Sequence, residues 1–351
     1  MLKKGLIILF VLLGSFTDLY AEELPSLYRG IRPLGMGGAF ITLSDDENAM
    51  FYNPSGLNDV NGWSVDLLNP SVEWSENSSK LYKDFKDLDT KNEGDVAAFM
   101  ENRVGEHQHI RAAVLPNFVM RNFAVGVLGQ ATGDIDVRNP GDPKVFTDIK
   151  VDLGILVSGA YGFYERQLQI GATAKYVERD GINHVYTATE IASKGFDPLN
   201  QREKKSDVAF DLGMKFNPNV VLSPSFAVVL QNITNLDFGN LGVIPQQLNV
   251  GAAINPHFWI LRTTFAVEVD DLTKRIEADK DLYKRTHLGA EVRFPKVLSV
   301  RAGINQGYLT AGIGIDLWIV ALSYATYAEE LGASSGQRAD RRHIAQLSLG
   351  F

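Results

Sequence analysis

From Trp63 to the C-terminus, apolar and polar residues alternate with a period of two. Leu168, Ile170, Ala172, Ala174 and Tyr176 share one side, and Gln169, Gly171, Thr173 and Lys175 the other. Val208, Phe210, Leu212, Met214 and Phe216 oppose Asp211, Gly213 and Lys215. The pattern returns at Leu261, Thr263, Phe265, Val267 and Val269, and again at Leu288, Ala290, Val292 and Phe294. Successive strand residues point to opposite faces, so each segment predicts a strand with one greasy and one polar side.

A soluble sandwich alternates too, but three features favour a membrane barrel. The apolar faces run for roughly 9 to 11 residues, the length a tilted strand needs to cross a bilayer. Aromatics gather near strand ends at Tyr161, Tyr176, Phe216, Phe294, Trp318 and Tyr324, where an interfacial girdle belongs. Connections also alternate in length. Arg121-Asn122, Tyr164-Glu165-Arg166 and Pro295-Lys296-Val297 are short, whereas residues 73–109, 134–148, 178–206, 234–246, 271–285 and 328–341 read as long polar loops. The reading predicts an all-β transmembrane antiparallel barrel of about fourteen strands over residues 63–351, with short turns on the periplasmic rim. The final strand ends in the alternation Ala345, Leu347, Leu349, Phe351, similar to the C-terminal signal of outer-membrane barrels. Closure is required in lipid, because each unpaired edge amide or carbonyl costs several kcal/mol.

The ends and the composition narrow the class. Residues 1–21 pair Lys3 and Lys4 with a short apolar run and a small residue at Ala21, which predicts a secretory signal peptide. No later stretch has the roughly 18 consecutive apolar residues of a spanning helix. The chain holds 34 basic and 42 acidic residues; removing Lys3, Lys4 and Asp18 leaves 32 and 41, a net charge of −9. That balance argues against nucleic acid as a partner. With no cysteine, neither a disulfide framework nor a thiolate metal site is available.

Residues 22–62 do not alternate. Gly35, Gly37 and Gly38 permit positive φ and close backbone approach, and Asn53-Pro54-Ser55-Gly56 is dense in turn formers. Glycines recur on the inferred inward face of the strands, at Gly154, Gly171, Gly213, Gly289, Gly303, Gly312, Gly314 and Gly350, making room for an internal segment or for curvature. Charges of both signs also point inward: Arg262, Glu268, Glu291, Arg293 and Arg301. Isolated buried charges are costly, so ion pairs that lock a plug to the wall are expected.

The run Arg32-Pro33-Leu34-Gly35-Met36-Gly37-Gly38-Ala39-Phe40, followed by Asp45 to Leu57 with Asn53-Pro54-Ser55-Gly56, resembles the N-terminal hatch of FadL-type outer-membrane transporters and their PorV/PorQ relatives. The resemblance implies a hatch in the lumen and passive inward movement of hydrophobic molecules such as long-chain fatty acids. It also implies lateral exit at a kinked third strand, here with Gly126, Gly129 and Gly133. Its PorV branch implies a barrel that binds or shuttles secreted proteins. Both branches place the mature chain in the outer membrane after Sec export, in contact with lipid and as a monomer.

Other chemistry reads weakly. Gly35-Met36-Gly37-Gly38 lacks the strand and helix of a phosphate loop. His107-Gln108-His109 and the acidic set Asp134, Asp136, Asp142 and Asp148 read as solvated loop residues, and no metal or cofactor is expected. No Gly-x-Ser-x-Gly elbow or triad is present, so no enzymatic activity is expected.

Overall fold

The computed structural model describes residues 23–78, 92–139, 144–194, 201–258, 260–276, 281–295 and 297–350. The predicted signal peptide, Asp142 and the terminal Phe351 lie outside them. Seventeen hydrogen-bonded segments form one sheet, and three proline-interrupted strands among them reduce the count to a closed antiparallel barrel of fourteen. In order these are β1 (Trp63–Leu68 and Ser71–Ser75), β2 (His107–Val114 and Asn117–Met120), β3 (Phe123–Arg138), β4 (Lys144–Phe163) and β5 (Leu168–Thr187). Then follow β6 (Glu203–Phe216), β7 (Ser225–Gln231), β8 (Gln247–Ile254 and His257–Phe258), β9 (Leu261–Val269) and β10 (Thr286–Arg293). The last four are β11 (Leu298–Asn305), β12 (Tyr308–Asp316), β13 (Val320–Glu330) and β14 (Ala339–Gly350). Each strand pairs with its sequence neighbour, and β14 returns to β1 through Arg342↔Ser75 to Gln346↔Ser71 and Asp66↔Gly350. No edge remains to be satisfied, which is the condition for a sheet in lipid.

The alternation settles which face is which. Val208, Phe210, Leu212, Met214 and Phe216 are all exposed on the outside, while Asp211 and Lys215 between them are buried inside. Tyr161, Tyr176, Phe216, Phe294, Trp318 and Tyr324 are exposed too, as an aromatic girdle requires. An outside that is apolar and a lumen that is polar invert the soluble arrangement.

Two expectations change. Residues 134–148 and 178–206 are not simply loops: β3 and β4 stay paired to Arg138↔Lys144, and β5 and β6 to Gly181↔Glu203. On β3 to β5 these extensions keep an apolar face, where Val137, Val145 and Tyr186 are buried with Val96, Met100 and Ile191 of two short helices, Glu93–Glu101 and Ala188–Lys194; the β6 extension, Glu203 to Asp207, is polar on both faces. Likewise Glu73, His107 and His109, read as loop residues, lie on β1 and β2.

Candidate functional site

Residues 23–62 occupy the lumen without joining the sheet. Pro33 lies in the first turn of a short helix, α1 (Ile31–Gly35), where its missing N–H costs little. The chain reverses at Gly37 and Gly38, with φ of 67° and 89°, and the Gly38 N–H closes on the Pro33 carbonyl at 2.9 Å. Asp46 caps the 3-10 turn Glu47–Met50 by accepting from the Asn48 N–H at 3.0 Å. Asn53 caps Pro54–Asp59 in the same way: its Oδ1 accepts from the Ser55 N–H at 3.1 Å and from the Ser55 hydroxyl at 2.7 Å. Its amide nitrogen ties back to the Ile41 carbonyl at 2.8 Å. Asn and Asp are favoured at these positions because a short side-chain oxygen reaches the free amides of the first turn.

The wall makes space for this segment. A Cβ at Gly171 would sit 2.4 Å from the Ser55 nitrogen, one at Gly289 2.4 Å from the Met36 carbonyl, and one at Gly303 2.6 Å from the Gly37 nitrogen. At Gly213 and Gly312 the obstacles are Asn53 Oδ1 at 2.0 Å and the Gly35 Cα at 3.0 Å. Five of the eight inferred inward glycines therefore face the segment; Gly154, Gly314 and Gly350 meet only other wall residues. Apolar contacts complete the fit. Tyr28, Met50, Phe51 and Leu57 join Leu115, Leu128, Leu156 and Val177, while Ile31 and Leu34 pack on Ala325, Tyr327 and Ile344. Ala39 is fully buried with Met36 and Phe40, against Ala266.

A charge network fastens the segment to β10 and β11. Arg32 donates through Nε and Nη2 to both oxygens of Glu291, each at 2.9 Å, and through Nη1 to Asp45 at 2.6 Å and Asp46 at 2.5 Å. Glu291 also accepts from Arg301 at 2.8 Å and Arg293 at 2.6 Å, and Arg293 reaches Asp45 at 3.2 Å. Three guanidiniums thus meet three carboxylates, and Glu291 at their centre is 1% exposed. Bidentate pairing and balanced charge are what make burial of such groups tolerable.

Two expected partners differ. Glu268 forms no ion pair with the segment; it accepts from the backbone N–H groups of Phe40 at 2.6 Å and Ile41 at 2.9 Å. Arg262 is exposed, outside the network. In the segment, burial beside Asp46 and Asp66 holds the Glu47 carboxyl well above its ordinary range. Burial pushes Glu23 up as well, but Arg342 and Arg29 outweigh it and hold that carboxyl well below the usual range.

Gly126, Gly129 and Gly133 lie on β3, which pairs with β4 from Phe123↔Gly159 to Arg138↔Lys144 without a register shift. The wall is interrupted one strand earlier. Pro70 splits β1 and Pro116 splits β2; β2 keeps one register on β3 from Asn117↔Gly126 to Val114↔Gly129, and the shift, by one residue, falls between β1 and β2, from Asp66↔Asn117 to Ser71↔Ala113. The Asn69 carboxamide spans the break, donating to the Leu115 carbonyl at 2.7 Å and accepting from the Leu115 N–H at 2.6 Å. Proline within a strand signals such an interruption, so the clue was present at both positions.

Beyond the segment, toward the long connections, opens a cavity of about 490 Å³. Its lining includes Glu23, Arg29, Glu73, Arg111, Asp152 and Arg179, which form three ion pairs.

No protein-family model matches the chain, and no curated protein matches it. Solved structures do. The toluene transporter TbuX of Ralstonia pickettii is 12% identical with a TM-score of 0.54, over 93% of this chain and 98% of that one. A FadL homologue of Pseudomonas aeruginosa is 11% identical with a TM-score of 0.54, over 94% and 99%. The CymD monoaromatic hydrocarbon channel is 11% identical with a TM-score of 0.50, over 96% and 98%. The chain therefore has the FadL-type fold, a fourteen-strand barrel.

Proposed function

We propose that this chain is a bacterial outer-membrane channel for passive uptake of small hydrophobic molecules, long-chain fatty acids among them. The observation that carries the reading is the closed barrel with its lumen filled by residues 23–62, in a fold shared over nearly the full chain with a toluene transporter and a monoaromatic hydrocarbon channel. Residues Arg32 to Phe40 and Asn53 to Gly56 act as the hatch in this reading. The lateral exit lies beside Gly126 and Gly129, where Asn69 bridges the break around Pro70 and Pro116; Gly133 sits farther along the same strand. Uptake of labelled oleate and labelled toluene into proteoliposomes tests it: faster entry than in protein-free vesicles supports the channel, and equal entry of both overturns it.

A second reading, a PorV-like barrel that holds secreted proteins at the surface, is favoured by the charged lining of the 490 Å³ cavity, which suits a polar peptide better than a hydrocarbon. It requires a stoichiometric protein partner in pull-downs from envelope extracts, which the channel does not.

A further inference from the structure

His107 and His109 are two residues apart on β2, so both imidazoles project to the lumen side. The strand ladder sets His109 directly opposite Asp134 on β3. Asp134 Oδ1 lies 2.6 Å from His109 Nδ1 and 3.4 Å from His107 Nε2, and each of the three residues offers a ligand atom within 4.8 Å of the other two. Around an ion bound at 2.0–2.1 Å, tetrahedral ligand atoms stand about 3.3 Å apart. The 3.4 Å between His107 and Asp134 already fits, and the 2.6 Å contact between His109 and Asp134 widens by about 0.7 Å as the ion replaces that hydrogen bond.

The surroundings are built for ligation as well. His109 Nε2, the nitrogen turned away from Asp134, lies 2.9 Å from Glu73 Oε1. Glu73 is fixed in turn by Arg111 and by the Tyr327 hydroxyl at 2.5 Å. A carboxylate behind a histidine sets its tautomer and leaves the opposite nitrogen free to bind metal. Arg342 Nη2 stands 3.5 Å from His107 Nε2, the lone pair an ion would take, and is held by Glu23 and Asp340 at 2.7 Å each, so it can yield that position and keep both carboxylate partners. All three candidate ligands line the 490 Å³ cavity, so a fourth position is open to water or to a donor group.

We propose that His107, His109 and Asp134 form a binding site for one divalent transition-metal ion of the zinc class, with Glu73 as the residue that positions His109. The site is independent of which cargo the barrel carries. Two histidines and a carboxylate suit such an ion, whereas calcium and magnesium prefer all-oxygen sets.

The test uses the full chain in detergent, stripped with chelator and titrated with cobalt, whose four-coordinate complexes absorb in the visible. One equivalent of cobalt bound, with that band and with displacement by zinc, is the expected result. His107→Ala, His109→Ala and Asp134→Asn lose the band, and Glu73→Gln weakens binding by about 10–100-fold. His184→Ala, which alters a histidine on β5, leaves binding unchanged. Zinc also raises the unfolding midpoint of the wild-type barrel but not of His107→Ala, which separates lost ligation from lost folding. Absence of stoichiometric cobalt binding, or binding that survives in folded forms of both histidine variants, overturns the proposal.

Discussion

Arg32→Ala probes the fastening of the N-terminal segment. The wild-type network balances three guanidiniums against three carboxylates; truncation leaves Arg293 and Arg301 facing Glu291, Asp45 and Asp46. Four donated hydrogen bonds disappear at once, two of them a bidentate clamp on a carboxylate that is 1% exposed. Removing one partner of a buried ion pair costs about 3–5 kcal/mol, because the remaining charge stays desolvated. At 1.4 kcal/mol per tenfold, the undocked population of the segment rises by about two to three and a half powers of ten.

Amide hydrogen exchange on the purified barrel reads this directly. Exchange across residues 31–46 accelerates in Arg32→Ala, while the outer strands keep their protection. Arg32→Lys falls between, since it keeps the charge but loses the planar fork. The exchanged pair Arg32→Glu with Glu291→Arg fails to rescue, because Arg293 and Arg301 then converge on a third guanidinium. Unchanged exchange in a correctly folded Arg32→Ala barrel would refute the claim that this network holds the segment.

Two substitutions extend the test. Gly171→Ala drives a methyl against the backbone of Pro54 and Ser55, costing about 1–3 kcal/mol in unfolding experiments, whereas Gly133→Ala meets nothing closer than 3.6 Å and is neutral. Asn69→Ala strips the Leu115 N–H of its partner among the described residues and costs about 1–3 kcal/mol, seen as local exchange at Leu115 with β3 and β4 still protected.

Much of this was legible because a membrane barrel reduces to two readable constraints. Period-two alternation located the strands of the apolar band, as at Val208 to Phe216, and the alternation of short and long connections set their number. The glycines opposite the segment, such as Gly213 against Asn53, were legible as small residues on an inward face. The extensions of β3 to β6 were not: the apolar positions Ile135, Val137, Val145 and Tyr186 are few and set among charged and turn-forming residues, and their burial depends on the helices Glu93–Glu101 and Ala188–Lys194 that cover them. The His107, His109 and Asp134 cluster was hidden for a different reason. His109 and Asp134 lie 25 residues apart in the chain, and the pairing register of β2 and β3 brings them together.

The charge network also bears on the route a hydrophobic molecule would take under the uptake reading. An axial path crosses Arg32, Glu291 and their partners, where parting any pair carries the cost of exposing buried charge to an apolar occupant. A sideways path beside Gly126 meets apolar groups instead: the Met50 methyl and Leu115 lie 2.9 and 3.3 Å from where a Cβ would stand. There the groups to be parted are neutral hydrogen bonds, two made by the Asn69 carboxamide with Leu115, one from Asn117 Nδ2 to the Leu115 carbonyl and one from the Val127 N–H to the Pro116 carbonyl, each worth about 0.5–1.5 kcal/mol net. Opening the wall thus parts neutral hydrogen bonds, whereas lifting the network brings an apolar occupant against buried charge. Asn69→Ala should speed hydrocarbon entry into proteoliposomes while leaving conductance of small ions unchanged, and Arg32→Ala should do the reverse. Equal effects of the two variants on both measurements would show that one movement controls both routes.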